Sequence, residues 1–259
     1  MLRRALLLLL ATLVALTAWG RLRARRTAAA TGAVAGAAPA PRADLTLDAA
    51  RDHRAGPPLE LPGIVPLDSL TRLGVRTQLT TQVERHFLDS LFSETDSIVR
   101  HWPGGMHVIR VAIVPGGASG FLPEMVGDVR WALDAWNPAA VGLRWLEEAD
   151  SSQADFLIQW ADTLEADRAG VTDVTWDRGG RIRRTVLTLV TRSPSSGRPL
   201  PPESRRAVAL HEIGHALGLP HSSHAADVMY PIATALALSD RDRFSLRFLY
   251  ELPTGFIGR

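Results

Sequence analysis

Cysteine is absent from the 259 residues. Disulfides, thiolate metal ligands and cysteine nucleophiles are therefore excluded. The absence assigns no compartment, because a domain of this size needs no disulfide staples. Lysine is absent too, so all 29 basic residues are arginine. Seven of them precede the first acidic residue, Asp44, which leaves 29 − 7 = 22 arginines against 27 carboxylates, a balance of −5. The basicity belongs to the N-terminal stretch and the body is mildly acidic. The basic stripe that nucleic-acid binding requires is missing. Internal repeats are missing as well.

The chain is 46% hydrophobic, enough for a core, and long enough for one ordinary domain with extra segments. "MLRR" is followed by "ALLLLLATLVALTAW" (5–19), an apolar run of 15. That is short for a membrane span and suits a signal-peptide core. Four arginines follow in "GRLRARR". Residues 1–26 are expected to be a signal peptide or a signal anchor, with cleavage and membrane tethering both open. Either way the rest lies outside the cytoplasmic membrane. Residues 27–66 have the Ala/Pro/Gly composition of a linker. Residues 67–101 read as helical, with Val83, Phe87, Leu88, Leu91 and Phe92 at three- and four-residue spacing, and form a pro-segment or a docking segment.

The main domain is expected over 102–259. Strands are read at 107–115, 141–148, 154–160, 170–176 and 181–191, the last two joined by a turn at "DRGG" (177–180). Helices are read at 123–137, 204–217 and 239–250, with Val208, Leu210 (or Ala209), Ile213 and Leu217 as the buried side of the second. Strands alternating with helices, ending in a strand pair, imply an α/β (α+β) domain with a mixed sheet.

"HEIGHALGLPHSSH" puts four of the chain's eight histidines into 14 residues. His211 and His215, four apart on a helix, share one face and can aim at one point. Glu212 is rotated from that point and placed to touch a water rather than a metal. Gly218 can take the left-handed conformation that ends a helix, and Pro220 discourages its resumption. The chain can then return His221 as a third nitrogen ligand. Three protein ligands leave one tetrahedral position open, the arrangement of a catalytic zinc. A chance match to all five fixed positions in a chain of this composition is on the order of 10⁻⁵. His224 is too close to His221 for a fourth ligand and reads as solvated.

His-Glu-x-x-His-x-x-Gly-x-x-His followed by "MYP" resembles the metzincin signature, in the version of the matrixins. The resemblance covers roughly 102–252 and is strongest in the final 50 residues. It implies a metzincin catalytic domain with a mixed five-stranded twisted sheet, an active-site helix and a C-terminal helix. It implies a zinc endopeptidase with one catalytic Zn²⁺ on His211, His215 and His221, Glu212 as general base, and Met229 in a Met-turn under the metal. Asp242 falls where that family supports the Met-turn, and Ser239 is a plausible N-cap for the same helix. Tyr230 is not assigned as a ligand. Matrixin order makes "GVTDVTW" the edge strand above the cleft, where a peptide could pair with residues 171–174.

The chain departs from many animal matrixins in two ways. Residues 154–190 hold no histidine, so no structural zinc is expected. A cysteine switch is impossible. Calcium is left open, since carboxylate-bearing loops such as 162–167 could bind it weakly. Peptide or protein is the expected substrate. The S1′ pocket, other substrate-binding residues and the oligomeric state are not legible. Two other classes stay open: an extracytoplasmic binding module on the same fold, and a zinc hydrolase of non-peptide amides.

Overall fold

Asp68 starts the first helix by accepting hydrogen bonds from the backbone N–H groups of Leu70 and Thr71, which caps Ser69–Thr80 (α1). The computed structural model describes residues 64–94, 97–105, 107–137 and 141–258, all within one compact unit, Leu47–Arg259. The expected targeting segment and the linker up to residue 63 lie outside the described residues. No helix among the described residues is long and apolar enough to cross a membrane.

The helical reading of 67–101 holds only in part. After α1 the chain turns at Gln82, whose φ is +57°, and the Nε2 of buried His86 lies 2.9 Å from the Thr81 carbonyl. A 3₁₀ turn, Leu88–Ser90, leads into a single-turn helix, Leu91–Glu94 (α2), and a short strand, Ile98–Val99 (β1). Phe87, Leu88 and Leu91 are buried while Val83 is 44% exposed. Tight turns repeat every three residues, so over ten residues they imitate a helical stripe.

Next come β2 (His107–Ile113), α3 (Glu124–Trp136), β3 (Leu143–Glu147), β4 (Phe156–Ala161), β5 (Gly170–Trp176), β6 (Ile182–Val190), α4 (Pro202–Ala216), α5 (Asp240–Glu251) and β7 (Gly255–Phe256). β2 to β6 form one five-stranded sheet in the order β3-β2-β4-β6-β5. The four strands from β3 to β6 in that order run parallel, and β5 lies antiparallel at the edge. This is the mixed sheet expected. The β5–β6 turn forms because the Asp177 carboxylate accepts from the N–H groups of Gly179 and Arg181. Alternating burial of Phe156, Ile158 and Trp160 turns one face of β4 to the core.

α3 and α4 pack against each other, and α4 lies against β5 and β6. Asp128 of α3 ties Arg205 and Arg206 of α4 at 2.7 and 2.8 Å, and Trp136 donates its indole N–H to the Leu210 carbonyl. Every residue of α4 from 207 to 216 is buried. A helix covered on all sides shows no apolar stripe, so the single buried side expected for it was too narrow.

The stretch before β2 shares this core. Val75, Leu79, Phe87, Leu88 and Leu91 belong to the same apolar cluster as Leu210 and Ile213. β1 pairs antiparallel with β7, Pro66 bridges to Phe256, and Arg76 donates to the Ile257 carbonyl.

Candidate metal centre

The end of α4 decides where the histidines go. Its orphan carbonyls all find donors. Trp102 donates its indole N–H to Ala216, the Tyr250 hydroxyl donates to Leu217, and the N–H groups of Gly218 and Leu219 return to His215 and Gly214. Gly218 has φ +99°, and a Cβ there would run into the Arg100 carbonyl oxygen. The chain therefore leaves the helix sharply, and His221 comes back to face it.

His211 and His215 are buried, and His221 is partly buried. Their candidate ligand atoms all lie within 4.8 Å of one another. The Nδ1 of His211 is 2.8 Å from the Val228 carbonyl, and that of His215 is 2.8 Å from the Leu219 carbonyl. A carbonyl can only accept, so each Nδ1 carries the proton and each Nε2 presents a lone pair. The two Nε2 atoms face each other at 3.1 Å. Burial pushes the His211 imidazole down to about 4, so it is neutral at pH 7. Two buried lone pairs in that arrangement repel, and a cation between them turns both into ligands. Two nitrogens on one tetrahedral zinc would be about 3.3 Å apart, close to the spacing here. A set of three imidazoles fits zinc.

Glu212 is buried beside this cluster. The Thr172 hydroxyl, on β5, lies 2.6 Å from its Oε2 and 3.0 Å from its carbonyl oxygen. Gly170 leaves room for the carboxylate, since a Cβ there would come within 2.7 Å of Glu212 Cγ. Burial pushes the Glu212 carboxyl up to about 7, against the opposing pull of Thr172. A carboxyl poised there can take and return a proton at neutral pH.

Met229 is fully buried. It lies so close beneath α4 that a Cβ on Gly214 would collide with its sulfur. The loop carrying it is fixed from α5. Ser239 and Asp242 form a capping box. Asp242 Oδ2 also accepts from the Val228 N–H at 2.9 Å and the Ser239 N–H at 2.8 Å. Burial raises the Asp242 carboxyl above its ordinary value although these donors pull the other way. Since Val228 also offers its carbonyl to His211, Asp242 steadies a metal-facing imidazole at one remove. Asp242→Ala is expected to cost about 3 kcal/mol, because the buried Val228 N–H and the half-buried Ser239 N–H lose a charged acceptor. Urea unfolding would check this, and a loss under 1 kcal/mol would contradict it.

His224 is exposed and its N–H bonds the Ser222 hydroxyl within the loop. Three residues of the site were not singled out by the sequence reading. Thr172 and Gly170 sit on the edge strand, where only knowledge of its register against α4 would have flagged them. Glu94 lies 127 positions from His221, whose backbone N–H it accepts at 2.9 Å. Burial works to raise the Glu94 carboxyl, but the hydrogen bonds from His221 outweigh it and the net shift is downward.

The profile of the peptidase family M10, Matrixin, matches residues 203–251. That stretch runs from the first turn of α4 through the Met229 loop to the end of α5. No curated protein matches the chain. The match and the mixed five-stranded sheet are consistent with a metzincin-like fold and support, at the level of the family, a zinc metallopeptidase.

Proposed function

We propose that this chain is a zinc-dependent endopeptidase in which His211, His215 and His221 hold the metal and Glu212 is the general base. The observation that carries this reading is the convergence of three histidines, two of them with Nε2 lone pairs face to face, beside a buried carboxylate that belongs to none of them. Zinc held there would supply a Lewis acid that polarises water and a peptide carbonyl. Glu212 accepts the proton of the attacking water and passes it to the departing amine, a round trip suited to a group titrating near 7. Thr172 keeps the carboxylate oriented for both transfers.

β5 supports an extended peptide as substrate. It is the antiparallel edge of the sheet, and its inner face touches Glu212 through Thr172. A peptide added to that edge would lie alongside the base. A cleft lined by Arg100, Thr172, Val174, His215 and Leu219 adjoins the same place. A binding-only module has no need of a buried carboxylate at position 212, which favours turnover. The apolar run at 5–19 supports a domain working outside the cytoplasmic membrane, secreted or tethered.

The test is peptide-library cleavage by the purified full-length chain with elemental analysis. Cleavage should stop with a strong chelator and return with zinc, at close to one zinc per chain. His221→Ala should weaken zinc binding by more than the ~10- to 100-fold that losing a supporting hydrogen bond costs. Two tightly held zinc ions in the wild type, or chelator-resistant cleavage, would contradict the reading.

A further inference from the structure

We infer that Glu94 is a positioning residue for the third metal ligand, and that residues 87–94 are a working part of the metal centre. This inference rests on the proposed zinc site. His211 and His215 are fixed by a buried helix, and their rings are fixed by two carbonyls. His221 has no helix, because it follows the sharp turn at Gly218. Its support comes instead from far away in the chain. Glu94 Oε2 accepts the His221 N–H at 2.9 Å and stands 3.4 Å from the ring Nδ1. The Ser90 hydroxyl lies 2.9 Å from the His221 carbonyl. Both ends of the His221 residue and one side of its ring are thus held by one segment.

The segment is itself anchored. Leu88 and Leu91 are buried in the common core. The Phe87 N–H donates to the Ser245 hydroxyl of α5. Arg241 of α5 donates to the Glu84 carbonyl at 2.9 Å and to Asp227, in the Met229 loop, at 3.1 Å. A carboxylate can only accept, so Glu94 selects the His221 tautomer with the proton on Nδ1 and leaves Nε2 as the metal-facing nitrogen. All three histidines then have an oxygen facing Nδ1, at 2.8 Å for His211 and His215 and at 3.4 Å for His221. For the third, that acceptor lies outside the stretch matched by the family profile.

The experiment measures zinc affinity by chelator competition on the full-length wild type, Glu94→Gln and Glu94→Ala, with the melting temperature of each zinc-free protein. Glutamine keeps the size and can still accept from the His221 N–H, but it loses the charge facing Nδ1. Glu94→Gln is expected to bind zinc about 10- to 100-fold more weakly, with a zinc-free melting temperature close to wild type. Glu94→Ala is expected to bind still more weakly. Should the alanine variant fail to fold, the glutamine variant decides. Unchanged zinc affinity in Glu94→Gln, with or without a lower melting temperature, overturns the inference and leaves Glu94 a structural contact. A wild type that holds no zinc tightly is a different result, since it refutes the proposed function itself.

Discussion

Glu212→Ala is expected to give a folded protein that still loads zinc but hydrolyses peptides about 10³–10⁴-fold more slowly. The lower bound on zinc retention comes from what the substitution leaves alone. The Nδ1 protons of His211 and His215 are held by the Val228 and Leu219 carbonyls, not by Glu212. The Nε2 lone pairs therefore stay directed as before. What disappears is the only carboxyl in the site pushed up to about 7 and held by Thr172. Loss of a placed general base costs roughly 10²–10⁴-fold, and the upper half of that range applies because the buried site offers water no substitute base. The Glu212→Gln variant keeps the volume above Gly170 and should be equally slow, which separates lost proton transfer from repacking. Turnover within tenfold of wild type, with zinc bound, would remove Glu212 from the chemistry.

Gly218→Ala is expected to destabilise the protein by about 3 kcal/mol and lower its melting temperature by about 6–12 °C. Two effects add. With φ +99° the backbone at 218 lies where an L side chain is strained, at a cost of about 1–2 kcal/mol. The new Cβ also meets the Arg100 carbonyl oxygen and the Leu249 side chain. The carbonyl is backbone at the edge of β1 and cannot rotate away, so overpacking adds about 1–3 kcal/mol. The turn is also the route by which His221 reaches His215. The same variant should lose zinc affinity, whereas a surface substitution of equal destabilisation should not. A melting temperature within 2 °C of wild type would show that the turn yields easily.

The helices at 123–137, 204–217 and 239–250 were legible to within two residues, as α3, α4 and α5. Their N-terminal prolines and serine and their apolar content are local signals. So were the strands, because alternation survives in β4 and β6 even where both faces are partly covered. The spacing of His211, His215 and His221 was legible because a helix followed by a glycine turn is short-range geometry. Contacts that join distant positions were not. β1 and β7 are two residues each, too short for any period. Glu94 looked like one more charge on a helix, and Thr172 like any threonine in a strand. Their roles exist only once the register of β5 against α4 and the path of residues 87–94 are fixed, and those are set by packing over 40 and 127 positions.

The strand pair β1–β7 ties Ile98 to Phe256, and Glu94 waits on His221 127 positions later. A ribosome adding about 5–20 residues per second takes on the order of 10 s to cover such a gap. Until then Phe87, Leu88 and Leu91 have no partners from α5, and the third histidine has no support. The loop-closure entropy for contacts this far apart grows only slowly with length, so the delay is set by synthesis and search rather than by a large free-energy penalty. The proposed metal site is thus complete only once residue 221 and α5 have been made, and Phe87, Leu88 and Leu91 wait as long for the partners that bury them.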